Sequence, residues 1–345
     1  MDKVRICLVG AGRAGEVHGD VYYNFIPHSE IVSVFDINIE KAKNLATKYK
    51  IDEEHVFNNY EDALSYCDFD AAVITTPTFT HCLYTEMSAR KKVNVFSEKP
   101  MAITLEDCDK MIDICSKEKV KLQLGFMRRF DIGFQRAKKI IENGEIGEPI
   151  IIKSVGRGPG LPGKWAFDIK NSNGNLAEVN SHDFDSVRWL SGSEYKKVYA
   201  VAKNSKNHDI GREYPLFYDN ATVSATMQNE IFGLIDSVCP CDYGYDARVE
   251  VVGTKGVLFI GSIDEHTTIT CTREKGINSP QVLSWKKRFH DAYIAEDRHF
   301  IDCIINNNEP VVTGDDGKHA VSVVIAANKS ISLGMPVELW FLFFK

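Results

Sequence analysis

Short apolar runs alternate with helix-length segments over the first third of the chain. Val4, Ile6, Leu8 and Val9 read as a strand buried on both faces, and Ile31 to Asp36, Ala71 to Ile74, Val93 to Phe96 and Lys121 to Gly125 repeat the signal. Helical patterns such as Leu105 to Glu118 lie between them. This alternation predicts an α/β unit over residues 1–125, a doubly wound parallel sheet whose ligand crevice lies beyond the carboxyl ends of its strands.

Past residue 125 the period changes. A helix pattern from Asp131 to Asn143 leads to a strand from Pro149 to Val155, a glycine- and proline-rich loop from Gly156 to Gly163, and a helical stretch from Asn175 to Leu190. Apolar residues then alternate at period two in Lys197 to Ala202, Asn220 to Gln228, Ile231 to Val238, Arg248 to Val252 and Val257 to Ile260, with Gly253-Thr254-Lys255-Gly256 joining the last two as a hairpin. The expectation is a C-terminal α+β domain over 126–345 with an open, mainly antiparallel sheet, one face under helices and the other wet or in a subunit contact. Phe289 to Asn307 and Asp315 to Leu333 read as helices packing back across both domains, the second ended by Gly334 and followed by a strand-like Val337 to Leu342.

The first strand runs into Gly10-Ala11-Gly12-Arg13-Ala14-Gly15, the spacing G-x-G-x-x-G. Such a turn lets backbone approach a pyrophosphate, and the helix after it points N–H groups and a positive dipole end at the anion. The second strand ends in Asp36, about twenty residues further on, where an acid accepts from ribose hydroxyls and repels a 2′-phosphate. A Rossmann domain binding NAD is therefore expected, with NADP disfavoured although Arg13 and Lys41 are at hand. Gly10, Gly12, Arg13, Ala14, Gly15 and Asp36 are the predicted loop contacts.

Two further strand ends carry distinctive residues. Thr75-Thr76-Pro77 forms a turn that can lie beside the dinucleotide, with Thr78 or Thr80 capping the next helix and His81 either bracing the turn or facing the cofactor. In Glu98-Lys99-Pro100 the proline holds Lys99 extended, aiming its ammonium in a fixed direction at the crevice. In the second domain Glu178, His182, Asp185 and Trp189 share a helical stripe, so Glu178 and His182 are i,i+4 neighbours. A carboxylate there can fix one tautomer of the imidazole and leave its other nitrogen to take or give a proton, although such a pair also serves as a plain surface ion pair.

Composition narrows the class. The formal charge of −7 is spread over 345 residues without a basic run, which argues against nucleic acid as a partner. No stretch approaches the roughly eighteen apolar residues of a membrane span, so a cytoplasmic protein is expected. The nine cysteines are read as free thiols. Cys239-Pro240-Cys241, the one close pair, has no second pair to complete a zinc site, and no metal is expected.

The dinucleotide loop, T-T-P-x-x-x-H at Thr75–His81, E-K-P at Glu98–Pro100 and G-F-M-R-R-F-D at Gly125–Asp131 together resemble the Gfo/Idh/MocA oxidoreductases, and within them the inositol dehydrogenase branch. The resemblance implies that Lys99 sits at the reacting alcohol beside the Glu98 turn, that Met127 and Arg128 line the substrate pocket, and that Tyr245 reaches the substrate. It also makes His182 the catalytic histidine, with Glu178 standing where relatives carry Asp. Around Arg157, the matching substrate arginine, this chain has Gly156 and Gly158 where that branch has histidine and asparagine. The expected activity is NAD-dependent oxidation of a secondary hydroxyl of a cyclic polyol or sugar, in a homodimer or homotetramer built through the C-terminal sheet. The alternatives are a catalytically silent NAD(P)-binding sensor, an enzyme of nucleotide-linked sugars, and NAD-dependent glycoside cleavage.

Overall fold

Six strands, β1 (Val4–Val9), β2 (Ser29–Phe35), β3 (Val56–Phe57), β4 (Ala71–Ile74), β5 (Asn94–Glu98) and β6 (Leu122–Gly125), pair in parallel in the order β3-β2-β1-β4-β5-β6. Helices α1 (Arg13–Phe25), α2 (Ile39–Tyr49), α3 (Tyr60–Tyr66), α4 (His81–Arg90) and α5 (Leu105–Glu118) connect them. Local chemistry sets their ends: Asn38 caps α2 by accepting from the Glu40 and Lys41 N–H groups, and Thr104 caps α5 by accepting from Asp107. The predicted side-chain cap of α4 is not formed. The Thr80 hydroxyl donates instead to the Pro77 carbonyl and to Thr76, and Thr78 lies in a short turn ahead of the helix.

This computed structural model describes residues 3–339, which divide into two compact units. The first contains everything up to Phe130 and regains Asp291–Val321 late in the chain. There the Gln123 amide donates to the Glu296 carbonyl, and the Leu124 N–H donates to Val312. One side of the sheet buries Cys7, Val9, Phe35, Ile74 and Val95 against Tyr60 and Ile114. Register then aligns the strand ends: Val9 pairs with both Phe35 and Ile74, Ile74 with Ser97, and Ser97 with Leu124. Gly10, Asp36, Thr75, Glu98 and Gly125 consequently form one row at the carboxyl edge. Strand order reverses between β1 and β4, the switch point at which open α/β sheets bind ligands.

The second unit, Asp131–His290 with residues from Ser322 on, starts at α6 (Ile132–Glu142), capped by Asp131. Its sheet has seven strands in the order β12-β11-β7-β10-β9-β8-β15: β7 (Pro149–Arg157), β8 (Tyr195–Lys203), β9 (Asn220–Met227), β10 (Phe232–Val238), β11 (Val249–Gly253), β12 (Val257–Ile260) and β15 (Val337–Glu338). The β7–β10 pair is parallel and the others are antiparallel, as the alternating pattern suggests. A separate hairpin joins β13 (Thr270–Thr272) to β14 (Gly276–Asn278). The last part of the predicted Val337 to Leu342 strand falls outside the described residues.

One helix expectation is corrected. Asn175 to Leu190 is not continuous but splits into α7 (Asn175–Glu178) and α8 (Ser181–Ser191). At the break, the Asn180 side-chain amide donates to Asp183 at 2.9 Å and to the Gly156 carbonyl at 3.4 Å, the side-chain competition by which asparagine interrupts helices. Glu178 therefore closes one helix and His182 opens the next, and the i,i+4 geometry of a single helix does not relate them.

Candidate active site

The glycine turn is shaped by close approach. Gly10 has φ +112°, and a Cβ on it would press on the Thr75–Thr76 peptide at 3.0 Å. A Cβ on Gly15 would overlap the Gly10 carbonyl oxygen, which accepts a 2.9 Å bond from the Thr75 hydroxyl. Gly12 differs: a Cβ there meets nothing within 4 Å, and no side chain caps α1, whose N-cap is Gly12. Open space above unshielded helix N–H groups is what a pyrophosphate requires, so these residues fit a dinucleotide. Arg13 is exposed at the mouth of the turn, and Ala14 is half-buried. Asp36 turns its carboxylate to the same turn, accepting from the Ala11 N–H and from Asn38, each at 2.8 Å.

Thr75, Thr76 and Pro77 are all half-buried at the next strand end. His81 lies behind them, fully buried, its Nε2 2.8 Å from the Thr76 carbonyl and its Nδ1 2.9 Å from the Pro100 carbonyl. Burial pushes its pKa below the ordinary histidine value, against the pull of those carbonyls. His81 thus links the Thr76 turn to the Lys99-Pro100 turn.

Lys99 follows β5 and is half-buried. The sequence motif puts Glu98 beside the cofactor, but its carboxylate turns into the core. Oε2 accepts the Lys99 N–H at 2.9 Å, and Oε1 meets His18 Nε2 at 3.0 Å. The other ring nitrogen of His18 lies 2.8 and 3.0 Å from the two Asp297 oxygens. Burial opposes charge on His18, yet Asp297 and Glu98 outweigh it and raise the histidine well above its ordinary pKa. Burial likewise works against the Glu98 anion, and His18 and Lys99 hold it below the ordinary value. Glu296, beside them and fully buried, is driven well above the usual carboxylate range by burial and by the Glu98 and Asp297 charges. His18, Glu296 and Asp297 escape sequence reading because 279 residues separate the first contact pair. The available signal was a histidine on the buried face of α1, in line with Gly15, Gly19 and Tyr22.

Met127 and Arg128 lie in the short turn after β6, both buried. In the second unit His182 is 6% exposed in the first turn of α8, and Glu178 is half-buried at the end of α7. The next residue, Asp183, anchors α8 to β7 by accepting a 2.6 Å bond from Ser154. Arg157, at the end of β7, spends Nε and Nη2 on the Asp236 carboxylate at 2.6 and 3.0 Å, and Nη1 on the Tyr243 hydroxyl at 2.9 Å. Tyr243 in turn donates to Asp246, and Tyr245 is buried with its ring against Phe289. The thiols of Cys239 and Cys241 are free and buried, donating to the Gly160 and Gly244 carbonyls. Among the described residues no cluster could hold a metal, and no helix is long and apolar enough to cross a membrane.

A glycine turn at the switch point of a doubly wound sheet, with an acid closing the neighbouring strand, defines a dinucleotide-binding protein with an added α+β domain. Residues 4–126 match the model of the oxidoreductase family with an NAD-binding Rossmann fold, and residues 138–339 match its C-terminal alpha/beta domain. The chain belongs to that family, Gfo/Idh/MocA, and its cofactor is NAD. It is 33% identical to the scyllo-inositol 2-dehydrogenase (NAD(+)) of Bacillus subtilis over 98% of this chain and 96% of that protein. It is 32% identical to the myo-inositol 2-dehydrogenase of Thermotoga maritima over 97% and 98%. The crystal structure of scyllo-inositol dehydrogenase from Lactobacillus casei with bound NAD(H) and scyllo-inositol superposes with a TM-score of 0.90 at 25% identity, covering 98% of this chain and 99% of that one.

Proposed function

We propose that this protein oxidises a secondary hydroxyl of an inositol-like cyclic polyol to the ketone. The observation that carries the reading is the carboxyl-edge row, which sets the strand end bearing Lys99 alongside the glycine turn and Asp36 in one sheet. The similarity to inositol dehydrogenases supports the substrate class. NAD supplies a hydride acceptor when bound. Gly10, Gly12 and Gly15 admit its pyrophosphate, the α1 N-terminus stabilises the negative charge, and Asp36 accepts from a ribose hydroxyl.

The protein's own part is proton handling and charge stabilisation. His182 removes the hydroxyl proton, Glu178 orients the imidazole, and the Lys99 ammonium stabilises the alkoxide that develops. Met127, Arg128, Arg157 and Tyr245 are the proposed substrate contacts, and within the second unit Arg157 bonds Tyr243, which donates to Asp246. Gly156 and Gly158 stand where the resembling branch carries histidine and asparagine, which counts against myo-inositol as the substrate. The test is Lys99→Met and His182→Gln: each lowers kcat about a hundredfold or more while NADH still binds. Full turnover in either variant overturns the assignment.

The outer face of the seven-stranded sheet exposes Tyr199, Val201, Phe232, Leu234 and Phe259 beside a shallow concavity lined by Lys153 and Asp236. Apolar area of that kind fits a subunit interface, and a homodimer or homotetramer through this sheet is proposed. Free thiols suit the reducing cytoplasm, and that compartment is proposed with them.

A further inference from the structure

The function proposed for Lys99 leaves one buried cluster unused: His18, Glu98, Glu296 and Asp297. His18 is 0% exposed, and its ring packs edge-on against Phe96 at 4.8 Å and Tyr293 at 5.4 Å. Each ring nitrogen meets a carboxylate, and one of those carboxylates also accepts the Lys99 N–H. The opposite side of Glu98 is fitted as tightly. A Cβ on Gly125 would stand 3.1 to 3.2 Å from its carboxyl atoms, so even an alanine on β6 would require the carboxylate to give by a few tenths of an ångström.

We propose that His18 is a positioning residue for Lys99, clamping Glu98 so that the cofactor helix α1 and the lysine-bearing end of β5 are held as one rigid piece. His18 lies in the second turn of α1, the helix whose N-terminus is proposed to receive the pyrophosphate. Through Glu98 it fixes the backbone from which the Lys99 side chain springs, and Asp297 holds the ring from behind. An uncharged ring could donate to only one of the two carboxylates, whereas the imidazolium donates to both. The groups facing it are Glu98 from β5, Tyr22 from its own helix, and Glu296 and Asp297 from the helix His290–Asn306. Burial and the neighbouring carboxylates favour the protonated form of Glu296.

This inference rests on Lys99 acting at the reacting oxygen, and the experiment separates the two claims. Wild type, His18→Gln, Lys99→Met and the double variant are compared for kcat, KM and NADH affinity on a polyol the wild type turns over. His18→Gln is expected to lower kcat about tenfold or more, with KM and NADH affinity changed less than about threefold, and to lower it less than about twofold on the Lys99→Met background. The same loss on both backgrounds marks a general structural effect and overturns the proposal, as does no loss on wild type. Should Lys99→Met alone keep full turnover, the functional reading fails first. The clamp is then judged by nitrogen NMR of His18, which must titrate above the ordinary histidine range in wild type and at a lower pH in Glu98→Gln, where Asp297 alone still pairs with the ring. Ordinary titration in wild type overturns it. Glu98→Gln also serves if His18→Gln does not fold, since it keeps the shape and removes the charge; it is expected to show the same Lys99-dependent loss of kcat.

Discussion

The carboxylate of Asp183 occupies the space in which a side chain at Gly156 would stand: a Cβ built on that glycine overlaps Asp183 Oδ2 and the Asn180 amide. Asp183 also accepts from Ser154 and Asn180, and it follows His182 directly. Strand β7 and the first turn of α8 are therefore fitted to each other at the glycine. Gly156→Ala must move the Asp183 carboxylate and the Asn180 amide off their present partners. Overpacking of this kind costs about 1–3 kcal/mol, so urea unfolding should show a loss in that range, and kcat should fall more than NADH affinity.

The glycine turn gives a paired prediction. Gly15→Ala, which collides with the Gly10 carbonyl, should lower both the melting temperature of the cofactor-free protein and its affinity for NADH. Gly12→Ala, which collides with nothing in the protein, should leave that melting temperature unchanged and still weaken NADH about tenfold or more by crowding the pyrophosphate. Fluorescence titration and thermal unfolding of both variants check this.

Much of this was legible in the chain. The strands around Ala71–Ile74 and the helix Leu105–Glu118 follow from apolar period alone, because each is a local pattern bounded by turn residues. The break between α7 and α8 was not, since it depends on Asn180 finding the Gly156 carbonyl and Asp183, contacts that exist only once β7 is in place. For His81 the motif shows where the residue sits but not what it does, because both nitrogens face carbonyls and one of these belongs to a turn 19 residues away. The partner of Arg157, Asp236, was also not legible, because it comes from β10, the strand beside β7 in the sheet.

Glu296 makes stability depend on pH. Its folded pKa is raised by burial and by neighbouring carboxylates, so its contribution is complete below the unfolded value of about 4.3 and is lost as pH rises through the folded value. Glu296→Gln has no proton to lose. The melting temperature of the variant relative to wild type should increase as pH rises above about 4.3; a difference that does not change with pH would contradict a raised folded pKa.

Asp36 is the residue we propose to set cofactor choice. Its carboxylate is held at the glycine turn by the Ala11 and Asn38 N–H groups, where a 2′-phosphate would meet a fixed negative charge. The wild-type protein should favour NAD over NADP in kcat/KM about tenfold or more, and Asp36→Ser should narrow that ratio by relieving the repulsion. An unchanged ratio would place the discrimination elsewhere.

The central claim is polyol oxidation, and the most direct measurement mixes the purified protein with NAD and myo-, scyllo- and chiro-inositol in turn, following NADH absorbance and identifying the product. The account predicts NADH formation with a matching ketone from at least one of them, abolished in a His182→Gln protein that still binds NADH. A protein that binds NADH but oxidises none of the three would contradict it.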